Sequence, residues 1–348
     1  METADLSSPS RQTVKFFTGI REKKKYSVIP VFFPFMGCPG RCVFCAQSIQ
    51  TGQSPDLAGR ALEHLRAVLR ALPGDGSACD VALYGGTFTL WPSALQLDCL
   101  RLIRRLGGAS VSVRCSTRPD ALDVIWLEQL REHGLGLVEV GVQSFDDAAL
   151  RTVARGYTGA EAVAGCRRVR ATGLTCGVQL MPGMPGVGPD VFLHDVAVAL
   201  AEGAACLRFY PCLVLEGTRL ADWWREGRYT PWDVDTTVRV LGQALAMAWA
   251  AEVPVIRVGL APGLELEAAV LAGPWHPALG SLVQAEALAW TLESLAADSH
   301  PEALYLPTAC RGFMGGRNGR IWERLSRIGL SKNAVLWHDD RYGSLVFR

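Results

Sequence analysis

This chain has little net charge, no long apolar run and no repeated or low-complexity tract. Its 348 residues carry 35 Lys+Arg against 34 Asp+Glu, a net charge of +1. That balance argues against a surface coated in phosphate-seeking charge and leaves room only for a local basic patch. An apolar block such as 244–251 runs eight residues, well short of the roughly 18–20 a membrane span requires. The first dozen residues, METADLSSPSRQ, hold no apolar signal core, so export is not expected. Charged residues make up 20% and hydrophobic ones 49%, which excludes wholesale disorder and permits a large core. Cysteine, by contrast, is plentiful: eleven residues. Without a secretion signal they read as free thiols or metal ligands in a reducing compartment. The expectation is a soluble, cytoplasmic protein without membrane contact and of about two domains.

Short β-rich runs at 28–33, 81–84, 111–115, 138–142, 175–180 and 205–210 alternate with segments of helical periodicity. Their starts lie roughly 30 residues apart after a longer first connection, the rhythm of βα units around a parallel sheet. Ser54-Pro55 and Pro92-Ser93 open helices, and Gly134, Gly173 and Gly203 stand where helices give way to strands. Six units suit a partial (β/α)6 barrel better than a doubly wound sheet. The fold class is therefore α/β, organised as an extension at 1–26, a core at 27–230 and a smaller α+β domain at 231–348. The extension is polar and then basic (Arg21, Lys23, Lys24, Lys25) and reads as a solvated leader.

The densest chemistry is Gly37-Cys38-Pro39-Gly40-Arg41-Cys42-Val43-Phe44-Cys45, straight after the first strand. Three thiolates in one tight loop can hold three irons of a cubane cluster and leave the fourth open to a ligand. Zinc with a distant fourth ligand and a chance clustering are the other readings. The nearest histidine, His64, lies 19 residues beyond Cys45, so compact zinc spacing is absent.

This run resembles the signature of the radical S-adenosylmethionine (SAM) superfamily, C-x3-C-x-aromatic-C, with Phe44 as the aromatic. The resemblance implies a [4Fe-4S] cluster on Cys38, Cys42 and Cys45, with SAM on the open iron. It implies reductive cleavage to a 5′-deoxyadenosyl radical that takes hydrogen from a substrate. Tyr84-Gly85-Gly86-Thr87-Phe88, after the second strand, looks like the family's glycine motif for the SAM amino group, which would place Gly85, Gly86 and Thr87 at the cofactor.

Four later segments follow in order: Ser116-Thr117-Arg118-Pro119-Asp120, Gly141-Val142-Gln143-Ser144, Arg155-Gly156-Tyr157-Thr158 and Gln179-Leu180-Met181-Pro182-Gly183-Met184-Pro185. Together they resemble the catalytic subunit of Elongator and its relatives; oxygen-independent coproporphyrinogen oxidases share a similar Gln-to-Arg spacing. The resemblance implies SAM contacts from Gln143, Arg155 and Gln179. It is strong over 28–227 and weaker through 255–283, which includes Gly273-Pro274-Trp275-His276-Pro277. Two departures stand out. Three residues separate the first two cluster cysteines, where Elongator-type enzymes have a longer gap, and the remaining chain is too short for their acetyltransferase domain. Acetyl transfer is accordingly not carried over.

The implied partners are SAM, a reducing electron donor and a substrate. A tRNA nucleoside is suggested by the Elongator-like core and by Arg311, Arg317, Arg320, Arg324, Arg327 and Lys332, with Phe313 and Trp322 between them. A solvated, locally paired helix at 320–327 is the other reading of that segment. A small-molecule substrate such as a tetrapyrrole, and a non-catalytic scaffold that binds SAM or the cluster, are the rival functions. The remaining cysteines read as buried hydrophobes; Cys115, at a strand end, could also donate hydrogen inside the cavity.

Overall fold

The computed structural model describes residues 12–19, 27–52, 60–71, 79–108, 110–297, 299–315 and 319–347. Its strands, in chain order, are β1 (Gln12–Phe17), β2 (Ser27–Phe32), β3 (Cys79–Tyr84), β4 (Val111–Thr117), β5 (Leu135–Gln143), β6 (Thr175–Leu180), β7 (Cys206–Phe209), β8 (Val214–Leu215), β9 (Val255–Val258), β10 (Val270–Ala272), β11 (Pro301–Pro307), β12 (Val335–His338) and β13 (Tyr342–Phe347). The chain divides into two compact units. One comprises Lys23–Thr237 with Val253–Pro277, the other Met1–Glu22, Val238–Glu252 and Ala278–Arg348.

The larger unit is built on a seven-stranded sheet in the order β2-β3-β4-β5-β6-β7-β9, parallel throughout. Strictly sequential order with helical crossovers curls such a sheet into a half-barrel. The helices pack on one face: Phe192, in the helix Pro189–Ala201, meets Phe209 of β7 edge-on at 5.3 Å. Local signals set the crossovers. Asp123 caps Val124–Glu132 by accepting from Trp126 N, and Thr158 with Glu161 forms a capping box on Gly159–Ala171. Gly134, Gly173 and Gly203 each take positive φ where a helix hands over to a strand or its approach. β8 and β10 form a separate antiparallel pair. Their side chains share an apolar cluster with Ala46, Leu266 and Trp275.

The smaller unit carries a four-stranded sheet, β1-β13-β11-β12, with β1 and β13 antiparallel and Gln12 opposite Phe347. Within it the helix Leu279–Leu295 buries Leu282, Val283, Leu288 and Leu292.

The α/β partial barrel and the smaller C-terminal unit are as expected, and the sheet gains a seventh strand, because β9 pairs with β7. For the same reason the chain does not pass once from core to second domain near residue 230: 253–277 belongs with the core. Residues 1–26 are not simply a leader, since Thr13-Val14-Lys15-Phe16-Phe17 is β-branched and aromatic and Phe16 is buried in the second sheet. The basic residues Arg21, Lys23, Lys24 and Lys25, and the helix opening at Ser54-Pro55, lie outside the described residues.

Candidate active site

The cysteine loop leaves the C-terminal end of β2 and is tied down by the turn after β3. Thr87 N donates to Met36 O at 2.7 Å, and Trp91 Nε1 donates to the same oxygen at 3.1 Å. Gly86 must be glycine here: φ is +66°, and a Cβ would stand 1.9 Å from Met36 O. The side chain of Gln47, two residues past the last cysteine, bridges the two loops. Its Oε1 accepts from Phe35 N at 2.5 Å and from Gly86 N at 2.8 Å. Two further backbone bonds hold the loop's far side, Val43 N to Val153 O and Leu220 N to Val43 O, at 3.3 and 2.9 Å.

Cys42 is buried and Cys38 and Cys45 are half-buried. Cys38 Sγ lies 3.5 Å from Thr87 Oγ1, and Arg155 Nη1 donates to Cys42 Sγ at 3.0 Å. Burial, reinforced by the neighbouring Cys42 and Cys38, pushes the Cys45 thiol up to about 12, while Gln47 and Arg155 pull the other way. Among the described residues no three His, Cys, Asp or Glu side chains converge as on a single metal ion. A cubane asks for something else, one thiolate per iron on a wider triangle. Mutual repulsion of the thiolates is what a multi-iron cation would relieve. Phe44 is buried beside them.

Arg155 follows the short helix Asp147–Thr152. Besides Cys42 it donates from Nε to Tyr157 Oη at 2.8 Å and from Nη2 to Gly141 O at 2.6 Å. Arg118 supports it from behind, bidentate on Asp120 at 2.9 and 2.8 Å while donating to Arg155 O. Gln143 ends β5 at a bulge with φ +68°, a conformation that strains a side chain other than glycine and turns it toward the strand ends. Its Oε1 accepts from Gln179 Nε2 of β6 at 3.1 Å. Gln143 with Gln179, Arg155 with Cys42, and Cys38 with Thr87 are thus three bonded pairs. The glutamines and the turn at 85–87 stand at C-terminal strand ends, whereas Arg155 follows a helix. Ser144 turns away, donating to Asp195 Oδ2 at 2.6 Å, and Phe145 N donates to Oδ1 at 2.7 Å. Burial pushes Asp195 up to about 6.

A family model for the radical SAM superfamily matches residues 32–197, and one for the radical SAM C-terminal domain matches 204–288. The chain belongs to the radical SAM superfamily. Among curated radical SAM relatives, a tRNA uridine(34) acetyltransferase of Dehalococcoides mccartyi is 28% identical over 246 residues, 60% of this chain and 54% of that protein. Elongator complex protein 3 of Schizosaccharomyces pombe is 26% identical over 201 residues, 51% and 37% of the two chains. The chain spans about half the length of such relatives or less. Archaeal Elp3 of Methanocaldococcus infernus, solved with an N-terminal deletion, shares the fold at a TM-score of 0.58 and 20% identity, covering 78% of this chain and 63% of that one. Radical SAM enzymes use a [4Fe-4S] cluster and SAM, and three thiols fixed in one loop beside a cationic donor suit that cluster.

Several residues here escape sequence reasoning. Gln47 and Tyr157 matter only through the loops they join. Behind the site, Tyr84, Arg114, Glu139 and Arg208 form a buried network: Tyr84 Oη donates to Glu139 at 2.6 Å, and Arg208 Nε lies 2.6 Å from its other oxygen. The available signal is a lone charge flanked by apolar residues in strand after strand, as in Val113-Arg114-Cys115 and Leu207-Arg208-Phe209. Cys115 is fully buried, its thiol pushed up by burial and Glu139, and serves as core. In the smaller unit Arg324 is paired with Glu286 and Glu293, both at 2.5 Å; Arg311 covers Trp337 and Lys332 covers Trp322. Arg317 lies outside the described residues. Among the described residues no helix is long and apolar enough to cross a membrane.

Proposed function

We propose that this chain is a radical SAM enzyme in which Cys38, Cys42 and Cys45 each hold one iron of a [4Fe-4S] cluster. Bound there, cluster and SAM supply a carbon-centred radical that abstracts hydrogen from a substrate. The observation that carries the reading is the joining of the cysteine loop to the turn after β3 by Gln47, with Arg155 on Cys42. The backbone at Gly85, Gly86 and Thr87 offers polar groups beside Cys38 for the SAM amino group. Gln143 and Gln179, already bonded to each other, present amides suited to ribose hydroxyls. Arg155, engaged by Cys42, Tyr157 and Gly141, positions the loop, and its remaining donor capacity suits a carboxylate. Phe44 fills space behind the thiols. An external one-electron donor belongs to this reading.

For substrate the reading favours a tRNA nucleoside, because the relatives include tRNA uridine(34) acetyltransferases and because Arg320 and Arg327 are exposed. Acetyl transfer itself is not proposed, since the matched segment covers only 54% of such a relative. Binding of bulk tRNA by the full chain tests the substrate class. Retention in a filter assay that weakens steeply with salt supports it, and absence of binding at low salt overturns it.

A further inference from the structure

Among the described residues, the sheet face opposite the helices sets three guanidinium groups against two carboxylates. Phe209 of β7 packs on the helices, so Arg208 and Tyr210, on either side of it, face the opposite way. The register sets Arg208 beside Gln179 of β6 and beside Arg257 of β9. On this face Asp80 and Glu139 stand against Arg114, Arg208 and Arg257. Arg114 is paired with both Asp80 and Glu139, and Arg208 with Glu139. Arg257 meets no carboxylate among the described residues; its Nε donates to Gly259 O at 2.9 Å. Two like charges in register repel, and among the described residues only Arg208 of the two has a carboxylate partner.

Tyr210 completes the pattern. Its hydroxyl accepts from Arg208 Nη1 at 2.8 Å, which leaves its own proton to donate. Arg257 lies near enough to oppose the rise that burial gives this hydroxyl. Arg208 is held by Glu139, Tyr210 and Tyr84 and keeps one N–H on each Nη. These, the Nη groups of Arg257 and the hydroxyl proton match an anion with several oxygens, and guanidinium groups suit phosphate and carboxylate alike.

We propose that Arg208, Arg257 and the Tyr210 hydroxyl form a receptor for an oxyanion, a phosphate or carboxylate group, on the inner face of the half-barrel. This deepens the radical SAM reading, on which it rests for the source of the anion: either the SAM carboxylate or a phosphate or carboxylate of the substrate. Arg208 shares its row with Gln179, whose amide bonds Gln143, so a bound anion stands alongside the proposed SAM contacts.

The test uses the full chain without cluster or reductant and follows thermal unfolding and calorimetric binding with inorganic phosphate, against chloride at matched ionic strength. Phosphate raises the wild-type midpoint. Arg257→Gln unfolds at the same or a higher temperature without phosphate, because the repulsion is gone, and binds phosphate at least about tenfold more weakly. Tyr210→Phe, a milder change, weakens it less. No phosphate shift in the wild type, or an equal shift in Arg257→Gln, overturns the receptor. With the reconstituted chain, saturation by SAM removes the phosphate response if the SAM carboxylate is the natural anion and leaves it if the substrate supplies the group. Cys42→Ala retains the phosphate response. A chain that makes 5′-deoxyadenosine yet ignores phosphate refutes only the receptor, whereas one that binds phosphate but never cleaves SAM refutes only the enzymatic reading.

Discussion

Arg155 Nη1 donates to Cys42 Sγ at 3.0 Å, across 113 residues of sequence. The bond ties the loop that follows β2 to the segment after β5. The guanidinium is itself fixed by Tyr157 and Gly141. Hydrogen bonds to ligating sulfurs are among the levers that set a cluster's potential. Arg155→Met therefore lowers the midpoint potential of the reconstituted cluster, while Arg155→Lys, which keeps one donor, shifts it less. A redox titration followed by EPR checks this, and identical potentials in all three proteins would contradict it. The Met variant also loses about 2–3 kcal/mol of stability, because Tyr157 and Gly141 O lose a charged partner.

Gly86→Ala displaces the cysteine loop, since the added Cβ meets Met36 O at 1.9 Å on a backbone at φ +66°. Strain of about 1–3 kcal/mol is expected from the conformation alone. Urea unfolding reads the loss, and iron content after reconstitution reads whether the loop still holds metal. A variant equal to wild type in both would show that the two loops do not depend on each other.

How much of this was legible in the sequence depends on how local each feature is. The cysteine run and the motifs at Gly85, Gln143, Arg155 and Gln179 are each contiguous, and the parallel βα rhythm places all but Arg155, which follows a helix, at strand ends. β9 is itself legible as a strand at Val255–Val258, but its place in the sheet is not, because it follows a long helix, outside that rhythm. β1 was hidden by polar and basic surroundings, and only its pairing with β13 makes TVKFF a strand. The Gln47 bridge, the Tyr157 support and the Arg208–Arg257 pair arise from tertiary register, which spacing along the chain does not encode.

Asp195 lends the protein a pH dependence of identifiable sign. Burial raises its carboxyl from 3.8 to about 6, so the folded state holds this proton more tightly than the unfolded chain. The stabilisation from that proton is complete below about 4 and is lost as pH rises through 6, a change on the order of 3 kcal/mol. Asp195→Asn lacks this dependence, so its stability relative to wild type improves from pH 4 to pH 7. Unfolding free energies at the two pH values check it, and a constant difference would argue against the shift.

Charge reversal at Arg317 and Arg320 weakens tRNA retention and lowers the salt-dependence slope by about 2, roughly one per lost phosphate contact. Arg324, paired with Glu286 and Glu293, serves as the control: Arg324→Gln lowers stability with little effect on RNA. Filter binding across a salt series separates the two. Unaltered binding in the double reversal would point to a small-molecule substrate.

The central claim is that the three-cysteine loop makes this chain cleave SAM. The decisive measurement is anaerobic: reconstitute with iron and sulfide, reduce with dithionite, add SAM with and without bulk tRNA, and quantify 5′-deoxyadenosine. The account predicts 5′-deoxyadenosine from the wild type in at least one arm and none from Cys42→Ala. A fully loaded cluster that yields none in either arm, or equal product from Cys42→Ala, would contradict it.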